Sequence, residues 1–296
     1  MGFPGREAQL IRYRHIVTVF RSALRRRRPF GGLDVISSSH SLKVVQGEPW
    51  TDALNCVLNP DNPSRPWREA SRVKRGDTVV VVIATDPPAV LCAFTAGRKR
   101  RLHRSISEES EGSALPTVGE IEVAAGQSLA DGLPLDFPAA TALIQAIGER
   151  SISEPGHRRG DSSLAIARIL LQSGGRCTYC YQDVAVIDVA EAVGNRSLHL
   201  ASTDGEPDWP SLLCATCTQG MSDGGFVNVI DYAFSRQPPC PFCSAQRSRR
   251  IAYGLPSYSG YINTPPWVQP GGGCAPGVPW RCDACGTRWD DRRPYR

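Results

Sequence analysis

Three patterns in the sequence predict a multidomain α+β protein, with a strand-rich N-terminal part and a C-terminal half built around cysteines. The valine-rich run Thr78–Thr85, followed at once by the apolar run Ala89–Thr95, predicts a buried hairpin. The capped apolar stretch SLAIARILLQS predicts a helix near the middle of the chain. Eight of the eleven cysteines then form four CxxC pairs. A chain of 296 residues has room for two or three such parts.

The first part, residues 1–150, is expected to form a small barrel-like α+β domain. It opens with an arginine-rich segment, residues 6–30, whose cations either contact phosphate or form a solvated helix end. The unbroken apolar character of Thr78–Thr85 indicates burial on both faces, as in a small barrel. Further along, Val118–Val123 predicts another strand and Pro138–Arg150 a short helix.

The centre of this part has the order basic residue, Gly76-Asp77, buried strand, short turn, strand. This order resembles the centre of the PUA/EVE-like β-barrels over a short part of the chain. The resemblance implies a domain that holds a nucleobase, sometimes a modified one, in a barrel pocket. Trp50 and Trp67 lie upstream and either stack on such a base or pack in the core as ordinary tryptophans.

Turn-forming residues in SISEPGHRRGDSS (151–163) mark the expected boundary to a second part, residues 151–235. Asp161 or Ser162 is expected to cap the helix that follows, and Gly174-Gly175 is expected to end it. The helix then leads directly into the first cysteine pair.

The cysteine spacing predicts two zinc sites. Two cysteines separated by two residues can direct both sulfurs at one ion, and two such knuckles complete a tetrahedral S4 site. The sequence has neither a run long enough to span a bilayer nor a signal-peptide pattern, so we expect a cytoplasmic protein with reduced thiols. Four protein ligands leave no position for water, so both Zn²⁺ ions are expected to be structural. The expected ligands are Cys177, Cys180, Cys214 and Cys217 at one site and Cys240, Cys243, Cys282 and Cys285 at the other.

The cysteine spacing of residues 176–224 and their WPSLLCATC entry to a helix resemble the zinc-stapled HNH nucleases, which have a treble-clef or ββα-metal fold. Chemistry in that family needs a histidine general base and side chains that hold a divalent ion at the scissile phosphate. Asp188 stands where the family has its aspartate, but Val189 follows it instead of a histidine, and His199 is the only histidine between the knuckles. Asp188 and His199 are therefore the catalytic candidates, and Mg²⁺ or Mn²⁺ is the expected ion if the chain is an enzyme. The missing histidine counts against cleavage.

The third part, residues 236–296, resembles a group of bacterial zinc ribbons over residues 238–290. Gly286 after the last cysteine supports this, because a knuckle turn favours a residue without a Cβ atom. Cys274 is an additional thiol, either a buried spare or a substitute ligand.

The C-terminal segment is also strongly basic. The whole chain carries a net charge of +5, whereas residues 236–296 alone hold nine arginines against three aspartates. Arginine suits bidentate phosphate contacts, although the same excess can reflect a bias in genome composition. Aromatic side chains here either stack on bases or cover a small metal-centred core. The nucleic-acid-binding candidates are Arg247, Arg249, Arg250, Arg281, Arg288 and Trp289, with Trp267, Trp280 and Tyr295 as further aromatic candidates.

These patterns lead to three hypotheses of function. The first is a zinc-binding and nucleic-acid-binding protein on an HNH-derived scaffold. Its expected partner is DNA rather than RNA, with no membrane contact, and its expected role is the recognition of modified DNA in bacterial defence. The second is an active, divergent metal-dependent endonuclease. The third is a protein-interaction scaffold that zinc makes rigid. The missing histidine counts against the second hypothesis and the arginine excess against the third.

Overall fold

The structure is a computed structural model. It describes residues 40–59, 66–97, 115–153, 162–184, 189–194, 197–200, 208–254, 264–273 and 278–290. Several residues named in the sequence analysis lie outside these ranges, namely the arginine-rich segment 6–30, Asp161, Asp188, Cys274 and Tyr295.

The N-terminal sheet has five strands. Its order is β2-β1-β3-β4, and β5 pairs with the opposite end of β1 from β2. Strand β1 runs parallel to β3 and β3 runs antiparallel to β4, which gives the hairpin expected from the sequence. The strands are β1 (Ser41–Gly47), β2 (Trp67–Arg68), β3 (Thr78–Ile83), β4 (Ala89–Thr95) and β5 (Leu133–Pro134).

Helices cover both faces of this sheet, so it is the middle of three layers. Val79 and Val81 of β3 pack in a core with α1 and α4, while Val80 and Val82 pack on the other face against α2 and α3. The helices are α1 (Trp50–Leu58), α2 (Val118–Ala125), α3 (Pro138–Ser153) and α4 (Ser163–Ser173). Burial of the valine run on both faces is confirmed, but the barrel is wrong, since no described strand closes the sheet. Two neighbouring parallel strands need a crossover connection, and the connection from β1 to β3 places α1 on one face of the sheet.

Trp50 and Trp67 are partly buried and pack against the core between the sheet and α1. The Trp67 ring also closes over Gly47, where a Cβ atom would lie 2.9 Å from the ring. Of the two alternatives open from the sequence, the structure favours ordinary core tryptophans.

Residues Val118–Val123, expected to form a strand, belong to helix α2. Thr117 and Glu120 form a capping box, with Glu120 N–H donating to Thr117 Oγ1 (3.1 Å) and Thr117 N–H donating to Glu120 Oε2 (2.6 Å). Gly126, with φ +62°, ends the helix. Capping at both ends therefore overrides the strand preference of the valines and the isoleucine.

The helix expected near the middle of the chain is confirmed as α4. Ser162 Oγ accepts from Ala165 N–H (3.1 Å), and Gly174 ends the helix in the left-handed region. Leu164 and Leu170 pack in the same core as the N-terminal sheet. The elements that follow are α5 (Val189–Gly194), β6 (Leu198–His199), β7 (Ser211–Leu212), α6 (Ala215–Asp223) and α7 (Val229–Ser235).

A four-stranded sheet of order β11-β10-β8-β9 forms the C-terminal part. Strands β8 and β9 are parallel, and the other two pairs are antiparallel. Trp267, just before β9, is 2% exposed and packs in one core with residues of α6 and α7. None of the described helices is long and apolar enough to span a membrane. The strands are β8 (Ser248–Ala252), β9 (Val268–Pro270), β10 (Trp280–Cys282) and β11 (Arg288–Trp289).

Candidate metal centres

The first metal centre joins a knuckle to the start of a helix. Cys177 and Cys180 lie on the turn after α4, while Cys214 is the N-cap of α6 and Cys217 lies in its first turn. Two hydrogen bonds fasten the turn to β7, since Thr178 N–H donates to the Leu212 carbonyl (2.8 Å) and Leu212 N–H donates to Thr178 Oγ1 (3.1 Å).

The second metal centre is built from two knuckles on the C-terminal sheet. One knuckle, with Cys240 and Cys243, precedes β8, and the other, with Cys282 and Cys285, links β10 to β11. Both have the same backbone pattern: Ser244 N–H donates to the carbonyl of Cys240, and Gly286 N–H donates to that of Cys282 (both 2.9 Å).

The first knuckle repeats this pattern, because Tyr181 N–H donates to the Cys177 carbonyl (3.0 Å). The closing residue of each knuckle is left-handed, with φ of +61° at Tyr181, +59° at Ser244 and +72° at Gly286. Sequence reasoning identified this requirement at the glycine alone. Three CxxC pairs are thus knuckles of one kind and the fourth opens a helix, so the two centres differ in architecture.

The sulfur positions fit zinc. In each group the four sulfurs lie within 4.8 Å of one another. The Sγ–Sγ distances are 3.6 Å for Cys180–Cys214, 3.7 Å for Cys240–Cys285 and 3.6 Å for Cys243–Cys282. A zinc ion about 2.3 Å from each sulfur sets neighbouring sulfurs about 3.8 Å apart, whereas a disulfide needs about 2.05 Å. The eight predicted cysteines therefore form two groups that can each hold a Zn²⁺ ion.

Within each group the thiols shift one another's pKa in opposite directions, so that one thiolate is favoured at the expense of its neighbours. Burial, and then the charge of Cys177, raises the pKa of Cys217. At the second centre, hydrogen bonds with the side chain and backbone of Thr287 lower the pKa of Cys285 to about 6. The Ala245 N–H lowers the pKa of Cys243, but desolvation and the three neighbouring thiols outweigh it and raise that pKa to about 12. A bound divalent cation removes this conflict, because it favours every thiolate at once.

The two centres differ in their access to solvent. Cys177 and Cys217 are buried, whereas Cys243 and Cys285 are exposed. An aromatic cluster covers the first centre, with Tyr179 and Tyr232 rings 5.6 Å apart and Trp267 6.4 Å from Tyr179. Burial, and then the nearby Cys217, raises the pKa of Tyr232 to about 12. We therefore expect the first ion to be the better protected.

Of the two catalytic candidates, Asp188 lies outside the described residues and His199 has a partner that sequence reasoning missed. His199 Nε2 is hydrogen-bonded to Asp208 Oδ2. Asp208 Oδ1 also accepts from the backbone N–H groups of Trp209 (2.7 Å) and Val229 (2.8 Å). The Asp208 side chain is 7% exposed, and its contacts connect β6 to the first residue of α7.

The pKa of Asp208 reflects these contacts. Burial raises it, but the hydrogen bonds from His199, Trp209 and Val229 and the charge of His199 outweigh burial, so the pKa lies below its usual value of 3.8. A carboxylate held in this way orients the histidine ring and joins two elements of the fold. Asp208 carried little sequence signal, because it follows a polar stretch and is distant in sequence from both Val229 and His199.

The nucleic-acid-binding candidates separate into three groups. Trp289 is 3% exposed and packs with Cys240 and Cys282, so the structure favours its role as cover for the metal-centred core. Arg247, Arg249 and Arg281 have partners within the chain, which are Asp231 (3.3 Å), Asp283 (2.7 Å) and Gln269 (3.1 Å) respectively. Arg250 and Arg288 are exposed on the strands.

Comparison with protein-family models, with curated proteins and with solved structures finds no match to this chain. The resemblances to HNH nucleases, zinc ribbons and PUA/EVE-like domains therefore rest on the sequence features quoted for them. The structure itself defines a mixed α+β protein with two four-cysteine groups that can bind zinc.

Proposed function

We propose that this chain is a zinc-stabilised nucleic-acid-binding protein whose C-terminal sheet contacts the phosphate backbone. The observation that carries the proposal is the charge of that sheet. Over residues 236–290 the chain has six arginines, two aspartates, no lysine and no glutamate. Four of the arginines lie on β8, β10 and β11, beside the second metal centre.

Metal binding and charge have complementary roles in this proposal. A short four-stranded sheet buries too little apolar surface for stability, and a structural zinc ion supplies the missing folding energy. Its surface is then available for arginines, which form planar bidentate contacts with phosphate oxygens. A scaffold that served only protein partners would need no such excess of one charge sign.

Catalysis is a second candidate function, supported by one observation. Asp208 holds His199 in a fixed orientation, and a histidine positioned by a carboxylate is suited to act as a general base. Mg²⁺ or Mn²⁺ would supply the electrophile at a scissile phosphate. The role of Asp188 in such a reaction remains a prediction from the resemblance to HNH nucleases.

One gel experiment tests both candidates. The full chain is incubated with duplex DNA, base-modified duplex DNA and duplex RNA, with and without Mg²⁺ or Mn²⁺, at low and physiological salt. Binding that weakens steeply with salt, without cleavage, is the expected result. Metal-dependent cleavage that His199→Ala abolishes would establish the second candidate. Absence of any shift at low salt would overturn the proposal. Preference for the modified duplex would support a role in defence, and equal binding would contradict that role.

A further inference from the structure

The register of the C-terminal sheet places three arginines in one row. Arg281 of β10 lies directly opposite Arg249 of β8 on one side and Arg288 of β11 on the other. Residues directly opposite in antiparallel strands project from the same face. Neighbouring strands lie about 4.8 Å apart, so the row spans about 10 Å across three strands. Below, "the arginine row" means Arg249, Arg281 and Arg288.

The opposite face of the sheet has a different composition. Trp280 pairs with Arg250 on one side and with Trp289 on the other, so these three residues share that face. Trp289 is buried there with Cys282 in the metal-centred core. The sheet is thus packed against the zinc site on one face and presents a line of cations on the other.

Within the described residues, the arginine row is only partly neutralised. Arg249 Nε donates to Asp283 Oδ2 (2.7 Å), which offsets one of the three charges. Arg281 Nη1 donates to the neutral amide oxygen of Gln269 (3.1 Å), which leaves its charge in place. Arg288 is exposed at the edge strand. Among the described residues, a salt bridge therefore offsets the charge of Arg249 but not those of Arg281 and Arg288, although like charges directly opposite one another destabilise a sheet.

We infer that the arginine row is the surface along which this protein holds the phosphate backbone of DNA. The inference rests on the proposed function and assigns it to one face of one sheet. A line of cations that the fold neutralises only in part is suited to a ligand with anions in a line, and a nucleic-acid strand presents such a line. The hydrogen bonds that Arg281 and Arg249 donate to Gln269 and Asp283 hold two guanidinium groups in position, so less side-chain freedom is lost on binding.

The test compares the full-length wild type with the triple variant R249Q/R281Q/R288Q. A charge-matched control, R68Q/R72Q/R75Q, removes three exposed arginines on β2 and in the segment after it, and R250Q removes one from the opposite face of β8. Binding to a short duplex DNA is measured by fluorescence anisotropy between 50 and 200 mM salt. Single-stranded DNA and duplex RNA are run in parallel. Zinc content and thermal midpoint are measured for every variant.

If the three arginines contact phosphates, the slope of log affinity against log salt becomes shallower by about 2 to 3 in the triple variant. The salt-dependent loss of affinity between 50 and 200 mM is then about 16- to 64-fold smaller than in the wild type. The charge-matched control and R250Q should keep the wild-type slope. The variant R249K/R281K/R288K should keep most of the slope while binding more weakly, because lysine preserves charge but not bidentate geometry.

Two contrary outcomes are distinguishable. If the wild type binds DNA and the triple variant keeps the wild-type slope, the inference is overturned and the proposed function stands. If the wild type binds none of the three nucleic acids at low salt, both fail. If the triple variant loses zinc, the lysine variant is used in its place, and it should keep most of the wild-type slope. A lost slope in the lysine variant, with wild-type affinity and slope in the charge-matched control, would overturn the inference.

Discussion

Replacing Asp208 by alanine should destabilise the fold around the first metal centre by about 3–5 kcal/mol. The side chain accepts three hydrogen bonds and is almost fully buried. Its removal leaves the N–H groups of Trp209 and Val229 without an acceptor, and each orphaned group costs about 1–3 kcal/mol. His199 also loses the carboxylate that orients it.

The matched control is Asp208→Asn, which keeps an acceptor for the two backbone groups and removes only the charge. We expect it to cost about 1–2 kcal/mol. The free energy of unfolding is obtained from urea titrations followed by tryptophan fluorescence, with bound zinc measured in the same samples. A cost below about 0.5 kcal/mol for the alanine variant, or equal costs for both variants, would refute the reasoning.

The pH dependence of these two proteins gives the sign of the electrostatic contribution. The pKa of Asp208 in the folded state lies below its usual value of 3.8. The stability that the carboxylate contributes is therefore present above that value and is lost as the pH falls through the lower, folded pKa. The difference in stability between wild type and Asp208→Asn should shrink as the pH falls from about 5 through the usual carboxyl range. A constant difference would contradict this assignment.

Three further predictions concern packing, metal release and capping. Trp267→Ala should lower the free energy of unfolding by about 3–5 kcal/mol and weaken zinc binding at the first metal centre. Phe242→Ala, at an exposed position, should change it by no more than about 0.5 kcal/mol. Equal effects of the two substitutions would contradict the packing of Trp267 in one core with the first metal centre. A chelator should remove zinc in two phases, and the faster phase should come from the centre with the exposed Cys243 and Cys285. A single phase in the wild type would contradict the claim that the two centres differ in their protection from solvent. Thr117→Ala should cost about 1 kcal/mol in urea unfolding, and an unchanged midpoint would show that the capping box contributes nothing.

Local patterns allowed the sequence to predict local structure well. The CxxC spacing identified the eight cysteines that the fold gathers into two groups. The cap at Ser162 and the stop at Gly174 identified α4, and the apolar run Ala89–Thr95 matches β4. Each of these features is determined within a few residues of the chain, by turn geometry, capping or side-chain period.

The errors occurred where long-range packing or competing local signals decide. An unbroken valine run such as β3 indicates two buried faces, but it does not say whether a barrel wall or two layers of helices cover them. Val118–Val123 has the composition of a strand, and the hydrogen bonds between Thr117 and Glu120 make it a helix. The distribution of the C-terminal arginines over two faces of the sheet depends on strand register, which spacing alone does not reveal.

Asp208 shows the same limit at the candidate site. Nothing near it in the sequence distinguishes it from a solvated loop aspartate, and its partners come from β6 and the start of α7. Only the folded chain brings a carboxylate, a histidine and a helix start together. His199 is a candidate because it is the sole histidine between the knuckles, but the carboxylate that the sequence names beside it as a catalytic candidate is Asp188 and not Asp208.

The zinc content of the purified full-length chain tests the central claim most directly. Metal analysis of protein prepared without added chelator should give two Zn²⁺ per chain, because the eight thiolates form two tetrahedral groups. Cys177→Ser and Cys240→Ser should each lower the content to one, since each removes a buried ligand from a different centre. A wild-type content below one ion per chain, or an unchanged content in both variants, would contradict the account.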